Sequence, residues 1–174
     1  MADKTVAVFG SGTVEPHSDI FELARQTGNM LARAGLAIVN GGYGGTMLAA
    51  AEAASQAGGH VIGVTCSAFK NSKANEYINT EIVTDSLEAR LDKLIELGQT
   101  YIVLPGGTGT LLELAKIWEL KNKGFLDNKK PIILIGPFWQ PLLQTIASVD
   151  PDSCDSLYLA ADVEAAREFL ISKF

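Results

Sequence analysis

The stretch that most constrains the fold of this chain spans residues 100–118, with the sequence TYIVLPGGTGTLLELAKIW. Its apolar and β-branched start predicts a buried strand, and its end has the composition of a helix. The glycine-rich segment PGGTGT joins the two without any longer loop. A strand that turns so tightly into a helix is typical of the units from which parallel sheets are built.

The rest of the chain alternates apolar strands with helices in the same way. Strands that are apolar throughout indicate a parallel sheet covered by helices on both faces. We therefore predict one domain over residues 1–174, an α/β fold with a Rossmann-like, doubly wound parallel sheet. The predicted strands are 4–9, 36–39, 60–65, 81–83, the start of 100–118, 131–135 and 157–159. The predicted helices are 19–34, 46–57, 86–97, the end of 100–118, 139–147 and 162–170.

Two of the helix starts carry capping signals. Ser18 is the expected N-cap of the first helix, and Gly35 follows directly after its end. Asp85 and Glu88 have the spacing of a capping box at the start of the helix predicted over 86–97.

Composition and charge exclude several classes of protein. The chain has 174 residues, 47% of them hydrophobic, and its net charge of −6 argues against a nucleic-acid polymer as partner. It shows no signal peptide and no apolar run that would cross a membrane, so we expect a cytoplasmic enzyme or binding protein. Cys66 and Cys154 lack metal or redox spacing, and His17 and His60 have no partner pattern. We assign these four residues structural roles and predict no metal site.

Three glycine clusters each follow a predicted strand, at residues 10–12, 41–45 and 106–109. The carboxyl ends of parallel strands meet at one edge of the sheet, where ligands bind in such folds. We therefore expect the clusters to gather there. A Rossmann-type strand order would place Ser11 opposite Gly107.

The first cluster does not match the known dinucleotide or P-loop motifs. Glu15 stands where the dinucleotide fingerprint has its third glycine, and Asn40 stands where an acid would bind the ribose. A P-loop is excluded because the chain has no Gly-Lys-Ser/Thr sequence.

PGGTGT is suited to binding a phosphate group. Its glycines allow the backbone to approach an anion closely, and the helix that follows adds partial positive charge. The hydroxyls of Thr108 and Thr110 supply further donors. The alternative is a tight strand-to-helix turn that binds nothing.

Glu113 and Arg90 are the candidate reactive residues, and each has a structural alternative. Thr110 and Glu113 fit a capping box, which alone would explain the acid. However, this helix is apolar on two sides, so it should pack against the sheet and against a second surface, often another subunit. Glu113 then lies in partly apolar surroundings, where burial raises the pKa of its carboxyl unless a cation offsets the effect. Arg90 is either a surface arginine that lies along its helix or a residue that faces the crevice.

Residues 105–113, PGGTGTLLE, resemble the signature PGGxGTxxE of the Lonely Guy family, whose members are widely labelled lysine decarboxylase-like. The resemblance extends to the first glycine loop, to the cluster 41–45 followed by Met47, to Arg90 and to Lys130-Pro131.

The resemblance implies a Rossmann-like, usually dimeric phosphoribohydrolase. Such an enzyme cleaves the N-glycosidic bond of nucleoside 5′-monophosphates, of the cytokinin or AMP type, without a cofactor. Glu113 would be the catalytic carboxylate, Arg90 its partner, and Glu81 would contact the ribose. The residues implied to bind the phosphate or nucleotide are Gly10, Ser11, Gly12, Gly41, Gly42, Gly44, Gly45, Thr46, Gly106, Gly107, Thr108, Gly109 and Thr110.

Two other functions stay open at the level of sequence. Leu91 and Leu112 stand where studied family members have polar residues, which favours a non-catalytic binder of a nucleotide or phosphorylated cofactor, like the carriers of molybdenum cofactor. A purely structural domain would leave the glycine clusters without a purpose. Lysine decarboxylation does not fit, because it needs a Schiff-base lysine within a much larger framework.

Overall fold

The computed structural model describes residues 4–70 and 73–173; the other positions of the predicted domain, residues 1–3, 71–72 and 174, lie outside the described residues. The strands are β1 (Thr5–Phe9), β2 (Ala37–Asn40), β3 (Val61–Cys66), β4 (Thr80–Thr84), β5 (Thr100–Val103), β6 (Ile132–Ile135) and β7 (Leu157–Ala160). The helices are α1 (Asp19–Arg33), α2 (Thr46–Gln56), α3 (Leu87–Leu97), α4 (Thr108–Asn122), α5 (Gln140–Ala147) and α6 (Val163–Lys173), and a short 3₁₀ helix spans Pro151–Ser156.

The strands form one parallel sheet in the order β4-β3-β2-β1-β5-β6-β7. The chain starts at the centre, winds outwards through β2, β3 and β4, and then returns to place β5 on the other side of β1. The predicted α/β, Rossmann-like doubly wound sheet is thereby confirmed. Its switch point, the crevice between β1 and β5, is the position at which such sheets bind ligands.

The helices cover both faces of the sheet, because neighbouring residues of each buried strand point to opposite sides. In β1, Val8 packs in the core beneath α1, α2 and α6, whereas Phe9 packs in the core beneath α3 and α4. Among the described residues, no helix combines the length and the apolar character needed to span a membrane.

Helices α1 and α2 pack very closely. A Cβ atom added to Gly28 of α1 would lie 2.2 Å from the carbonyl oxygen of Ala50 in α2. The alanines of α2 lie in the core, as expected from their small size, and one of them sits directly against the neighbouring helix.

The capping signals are confirmed at one helix and wrong at another. The Phe21 amide donates to Ser18 Oγ at 3.3 Å, and Gly35 follows α1 with a φ of +72°. At α3 the cap is Ser86, not Asp85, because Ser86 takes the extended backbone conformation and its Oγ accepts a hydrogen bond from the Ala89 amide at 3.2 Å.

Candidate functional site

The loops after β1 and β5 meet at the switch point. The Ser11 amide donates to the carbonyl of Pro105 at 3.3 Å. The next residue, Gly106, fits only because it lacks a side chain: an added Cβ would lie 3.0 Å from Ser11 N and 2.1 Å from Thr110 Oγ1. The expected approach of the two loops is therefore found, with the contact made by Pro105 and Gly106.

The loop after β2 joins them through Thr46. Its amide and its hydroxyl both donate to the Ser11 carbonyl, at 2.9 and 3.0 Å. Gly45 has a φ of +60°, and an added Cβ there would lie 2.4 Å from the same carbonyl oxygen. All three predicted glycine clusters thus lie together at the carboxyl edge of the sheet.

The start of α4 opens towards this edge without a capping side chain. Its N-cap is Gly107, and the first intrahelical bond runs from the Leu111 amide to the Gly107 carbonyl at 2.9 Å. The amides of the preceding turn have no intrahelical acceptor by geometry. Added Cβ atoms at Gly107 and Gly109 would meet nothing within 4 Å, so this end of the helix is accessible to an anion.

Glu113 lies one turn further along α4 and is partly buried. It does not cap its own helix, since the cap position is Gly107 and has no side-chain hydrogen bond, so the capping-box alternative was wrong. Burial raises the pKa of the Glu113 carboxyl to about 7, against the opposing effect of the positive charge on Arg90. Glu113 is therefore ionised in only part of the molecules at neutral pH.

Arg90 is 8% exposed, so the surface alternative for this residue was wrong. Its Nε donates to the Val64 carbonyl at the end of β3 at 2.8 Å. Its Nη2 lies 4.0 Å from Met47 Sδ. A Cβ atom added to Gly41 would lie 1.6 Å from Nη2, so the absence of a side chain at this position leaves the space that the guanidinium occupies. The predicted role of Gly41 towards a nucleotide stays a prediction.

Two aromatic residues at the site, Tyr43 and Phe69, were not predicted from the sequence. The Arg90 guanidinium lies over both rings, at 5.4 and 5.7 Å from their centroids. Tyr43 stands inside the glycine cluster 41–45, where a large side chain among glycines is a signal that could have been noticed. Phe69 carries no such signal in the sequence.

Glu81, the predicted ribose contact, lies on the edge strand β4. Its carboxylate accepts a hydrogen bond from Thr65 Oγ1 at 2.7 Å. It lines a cavity of about 410 Å³ that is also lined by Tyr43 and Lys73. Its role towards a ribose stays a prediction.

The two leucines that stand where studied family members have polar residues lie in different surroundings. Leu91 is buried in the core beneath α3 and α4, and Leu112 is 45% exposed. The nearby Lys93 forms an ion pair with Glu96 at 2.6 Å on the outside of α3.

Helices α3 and α4 are linked by an ion-pair network that the sequence analysis also missed. Lys116 of α4 contacts Glu88 and, at 2.7 Å, Asp92 of α3. The link fixes the helix that carries Arg90 relative to the helix that carries Glu113. Of the residues in ranges 4–70 and 73–173, no three His, Cys, Asp or Glu side chains form a group that would hold a metal.

Comparisons with known proteins add to this geometry. A family model described as the SLOG cluster4 family matches residues 3–167. Cytokinin riboside 5′-monophosphate phosphoribohydrolase from Mycobacterium tuberculosis is 31% identical, over 94% of this chain and 91% of its own. The protein of the same name from Rhodococcoides fascians is 31% identical, over 94% of this chain and 87% of its own. The molybdenum cofactor binding protein from Rippkaea orientalis is 25% identical, with a TM-score of 0.80 over 99% of this chain and 98% of that one.

Proposed function

The chain belongs to the SLOG cluster4 family and to the Lonely Guy family that it resembles, and on this premise we propose that it hydrolyses nucleoside 5′-monophosphates. The products are a free base and ribose 5-phosphate. One observation carries the proposal: a partly buried carboxyl group with a pKa near 7, Glu113, stands behind an open helix N-terminus and under the influence of a buried arginine. The names of the relatives at 31% identity support the same reaction.

The 5′-phosphate binds at the start of α4. The free amides of residues 108–110 and the helix dipole favour an anion there, and no lysine is needed. The loops at 10–12 and 44–46 close the cradle, since Ser11 is bonded both to Pro105 and to Thr46. Glu81 contacts the ribose from the edge strand in this arrangement.

The reaction breaks the bond between ribose C1′ and a ring nitrogen of the base, and the bonding electrons leave with the base. Positive charge then develops at C1′ and the ring oxygen. The Glu113 carboxylate stabilises this charge and takes a proton from the water that adds to C1′. Arg90 keeps a fraction of Glu113 ionised and offers N–H donors to the departing base. The base takes up one proton from the solvent, and Glu113 returns to the solvent the proton that it received from the water. This chemistry uses only water as a second substrate.

We also propose that the protein acts as a cytoplasmic homodimer. Leu111 of α4 and Ile146 of α5 are each 37% exposed. With Ala115 and Leu142 they line an apolar groove of about 300 Å³ between the two helices. A second copy of the chain that packs into this groove would cover α4 on the side that the sheet does not.

A non-catalytic carrier of a nucleotide or phosphorylated cofactor is the second candidate. Leu91 favours it, because the polar residue of studied family members is replaced there by a leucine buried in the core. The similarity to the molybdenum cofactor binding protein is consistent with such a role.

An assay with a panel of nucleoside 5′-monophosphates, with ribose 5-phosphate as readout, tests the proposal. The wild-type protein should release base, with a rate that falls as the pH drops below about 7 because the Glu113 carboxylate becomes protonated. Glu113→Gln should lower kcat by roughly 10²-fold or more. Glu96→Gln, a matched change at an exposed acid on α3, should leave the rate unchanged.

Absence of base release from every monophosphate would contradict the hydrolase. In that case a thermal-shift screen with the same panel identifies the carrier: a ligand that raises the melting temperature and is recovered intact supports it.

A further inference from the structure

Two aromatic rings from different loops lie next to each other and both contact the Arg90 guanidinium. Its central carbon, Cζ, lies 5.4 Å from the centroid of the Tyr43 ring and 5.7 Å from that of the Phe69 ring. The two rings are 6.0 Å apart and inclined by 43° to each other. The face of an aromatic ring attracts a cation at such distances, most strongly where water is excluded. The arginine is 8% exposed, so this attraction is only weakly screened.

Tyr43 and Phe69 are both hydrogen-bonded to the same residue, Cys66, at the end of β3. The Tyr43 hydroxyl accepts a hydrogen bond from the Cys66 amide at 2.7 Å and donates to the Cys66 carbonyl at 3.4 Å. The Phe69 amide donates to this carbonyl at 3.1 Å. The Asn75 side-chain amide donates to the Tyr43 carbonyl at 2.9 Å and fixes the backbone of that residue. The position of the rings is therefore set by the loops around β2 and β3, independently of the helix that carries the arginine.

The backbone of two neighbouring strands and loops also contacts the guanidinium. Arg90 Nε donates to the Val64 carbonyl at 2.8 Å. Gly41 leaves the space that Nη2 occupies, since an added Cβ would lie 1.6 Å from it. Within the part of the chain that the structure describes, the hydrogen bonds of the Arg90 side chain involve Nε and, at 4.0 Å, Nη2 with the Met47 sulfur. The guanidinium is therefore contacted by two rings and by the Val64 carbonyl at Nε, and it keeps N–H donors for a ligand.

We propose that Tyr43 and Phe69 are positioning residues that fix the Arg90 guanidinium where its charge acts on Glu113. The inference rests on the proposed function, because it assigns a role in the same reaction. An arginine side chain has four rotatable bonds, and a single hydrogen bond to Val64 leaves much of that freedom. Contact with the two rings restricts the rotation of the Arg90 side chain and leaves its N–H donors unused. Of the described charged groups, Arg90 is the one whose charge lowers the pKa of Glu113 against the effect of burial.

The test measures the titration of Glu113 itself, by NMR of the protein labelled with ¹³C at the glutamate carboxyl groups. The signal of Glu113 is assigned by its loss in Glu113→Gln. Tyr43→Leu and Phe69→Leu remove one ring each, while Tyr43→Phe keeps the ring and loses the bonds to Cys66. Phe125→Leu is the control, since Phe125 is 80% exposed and follows the end of α4. Thermal unfolding of each variant establishes that it is folded.

Loss of either ring should move the midpoint of the Glu113 titration to higher pH by roughly 0.5 to 1, because a cation that is no longer fixed stabilises the carboxylate less. Tyr43→Phe should stay closer to the wild type than Tyr43→Leu, and the control should not move. In the assay of base release, kcat of the ring variants should fall about tenfold and its acid limb should shift in the same direction.

An unchanged Glu113 midpoint in folded Tyr43→Leu and Phe69→Leu would overturn the inference, even if base release fell, because the rings would then have a structural role only. A shifted midpoint in a protein that releases no base would support the positioning role and refute the proposed function. If Tyr43→Leu does not fold, Phe69→Leu and Tyr43→Phe still decide the question.

Discussion

The two faces of the sheet are covered in different ways. On the α1–α2 face, small side chains bring the helices into direct contact, as at Gly28, where an added Cβ would lie 2.2 Å from the Ala50 carbonyl oxygen. On the α3–α4 face, the helices carry Arg90, which is the one buried charged side chain among the described residues. The same face carries Glu113, whose pKa burial raises to about 7.

The α1–α2 face mainly contributes stability, whereas the α3–α4 face carries the candidate reactive residues. The α1–α2 face is so closely packed that larger side chains do not fit between its helices. Such packing gives the site on the sheet a rigid support. The α3–α4 face keeps a buried charge and a poorly solvated carboxyl group, both of which lower stability. Groups that cost stability in this way are concentrated at functional sites.

The same substitution should therefore have opposite effects on the two faces. Gly28→Ala should lower the free energy of unfolding by about 3 kcal/mol, because the new methyl group must separate α1 from α2. Gly109→Ala places its methyl group where no atom lies within 4 Å. It should raise the free energy of unfolding by about 0.5 kcal/mol, since alanine is less flexible than glycine in a helix. Urea unfolding followed by circular dichroism measures both, and equal effects would remove the contrast between the faces.

Burial of the Glu113 carboxyl group on the α3–α4 face should make the stability of the protein depend on pH. The folded protein holds the Glu113 proton up to about pH 7, whereas the unfolded chain releases it near the ordinary value of 4.5. The contribution of Glu113 to stability is therefore most favourable below that lower value, and this contribution to the free energy of unfolding should fall by roughly 2 kcal/mol as the pH rises from about 5 to 8.

Glu113→Gln should remove most of this slope and be the more stable protein at pH 8, whereas Glu96→Gln should keep the slope. Urea midpoints collected across the pH range measure the effect. A slope that survives in Glu113→Gln would mean that the carboxyl group is better solvated than the structure indicates.

The smallest effect is expected on self-association. It concerns the apolar groove between α4 and α5, where we propose that a second copy of the chain packs. Leu111→Glu places a charge in that groove and should weaken self-association about tenfold or more, as measured by analytical ultracentrifugation. Ile171→Glu is the control, because this residue is 55% exposed on α6, on the other face of the sheet. Dimers that form equally well in both variants would place the interface elsewhere.

The fold could be predicted from the sequence because its signals are local. Strand hydrophobicity, the alternation with helices and the glycine turns each occupy a few neighbouring residues, and together they specify a parallel sheet with a site at its carboxyl edge. The position of Glu113 near this edge could be predicted for the same reason, since it lies one helical turn after the glycine turn. The cap of α3 was assigned one residue too early, because Asp85 and Ser86 are both good caps and only the backbone conformation at Ser86 decides between them.

The surroundings of Arg90 could not be predicted, because they depend on contacts between distant parts of the chain. Helical periodicity places this arginine at the border of an apolar stripe, where both orientations are possible. The deciding contacts come from Val64 in β3 and from Tyr43 and Phe69 on the loops after β2 and β3, and these residues show no fixed spacing to Arg90. The roles of the individual site residues towards a nucleotide remain predictions for the same reason.

The central position of β1 has a consequence for how the protein folds. β1 is bonded to β5, and β5 is synthesised only after β2, β3, β4 and the helices between them. Pairing of strands so distant in sequence requires the closure of a long loop, which slows folding. The contact between Ser11 and Pro105 therefore forms late, and a nascent chain that stops before β5 has a first strand but no anion cradle.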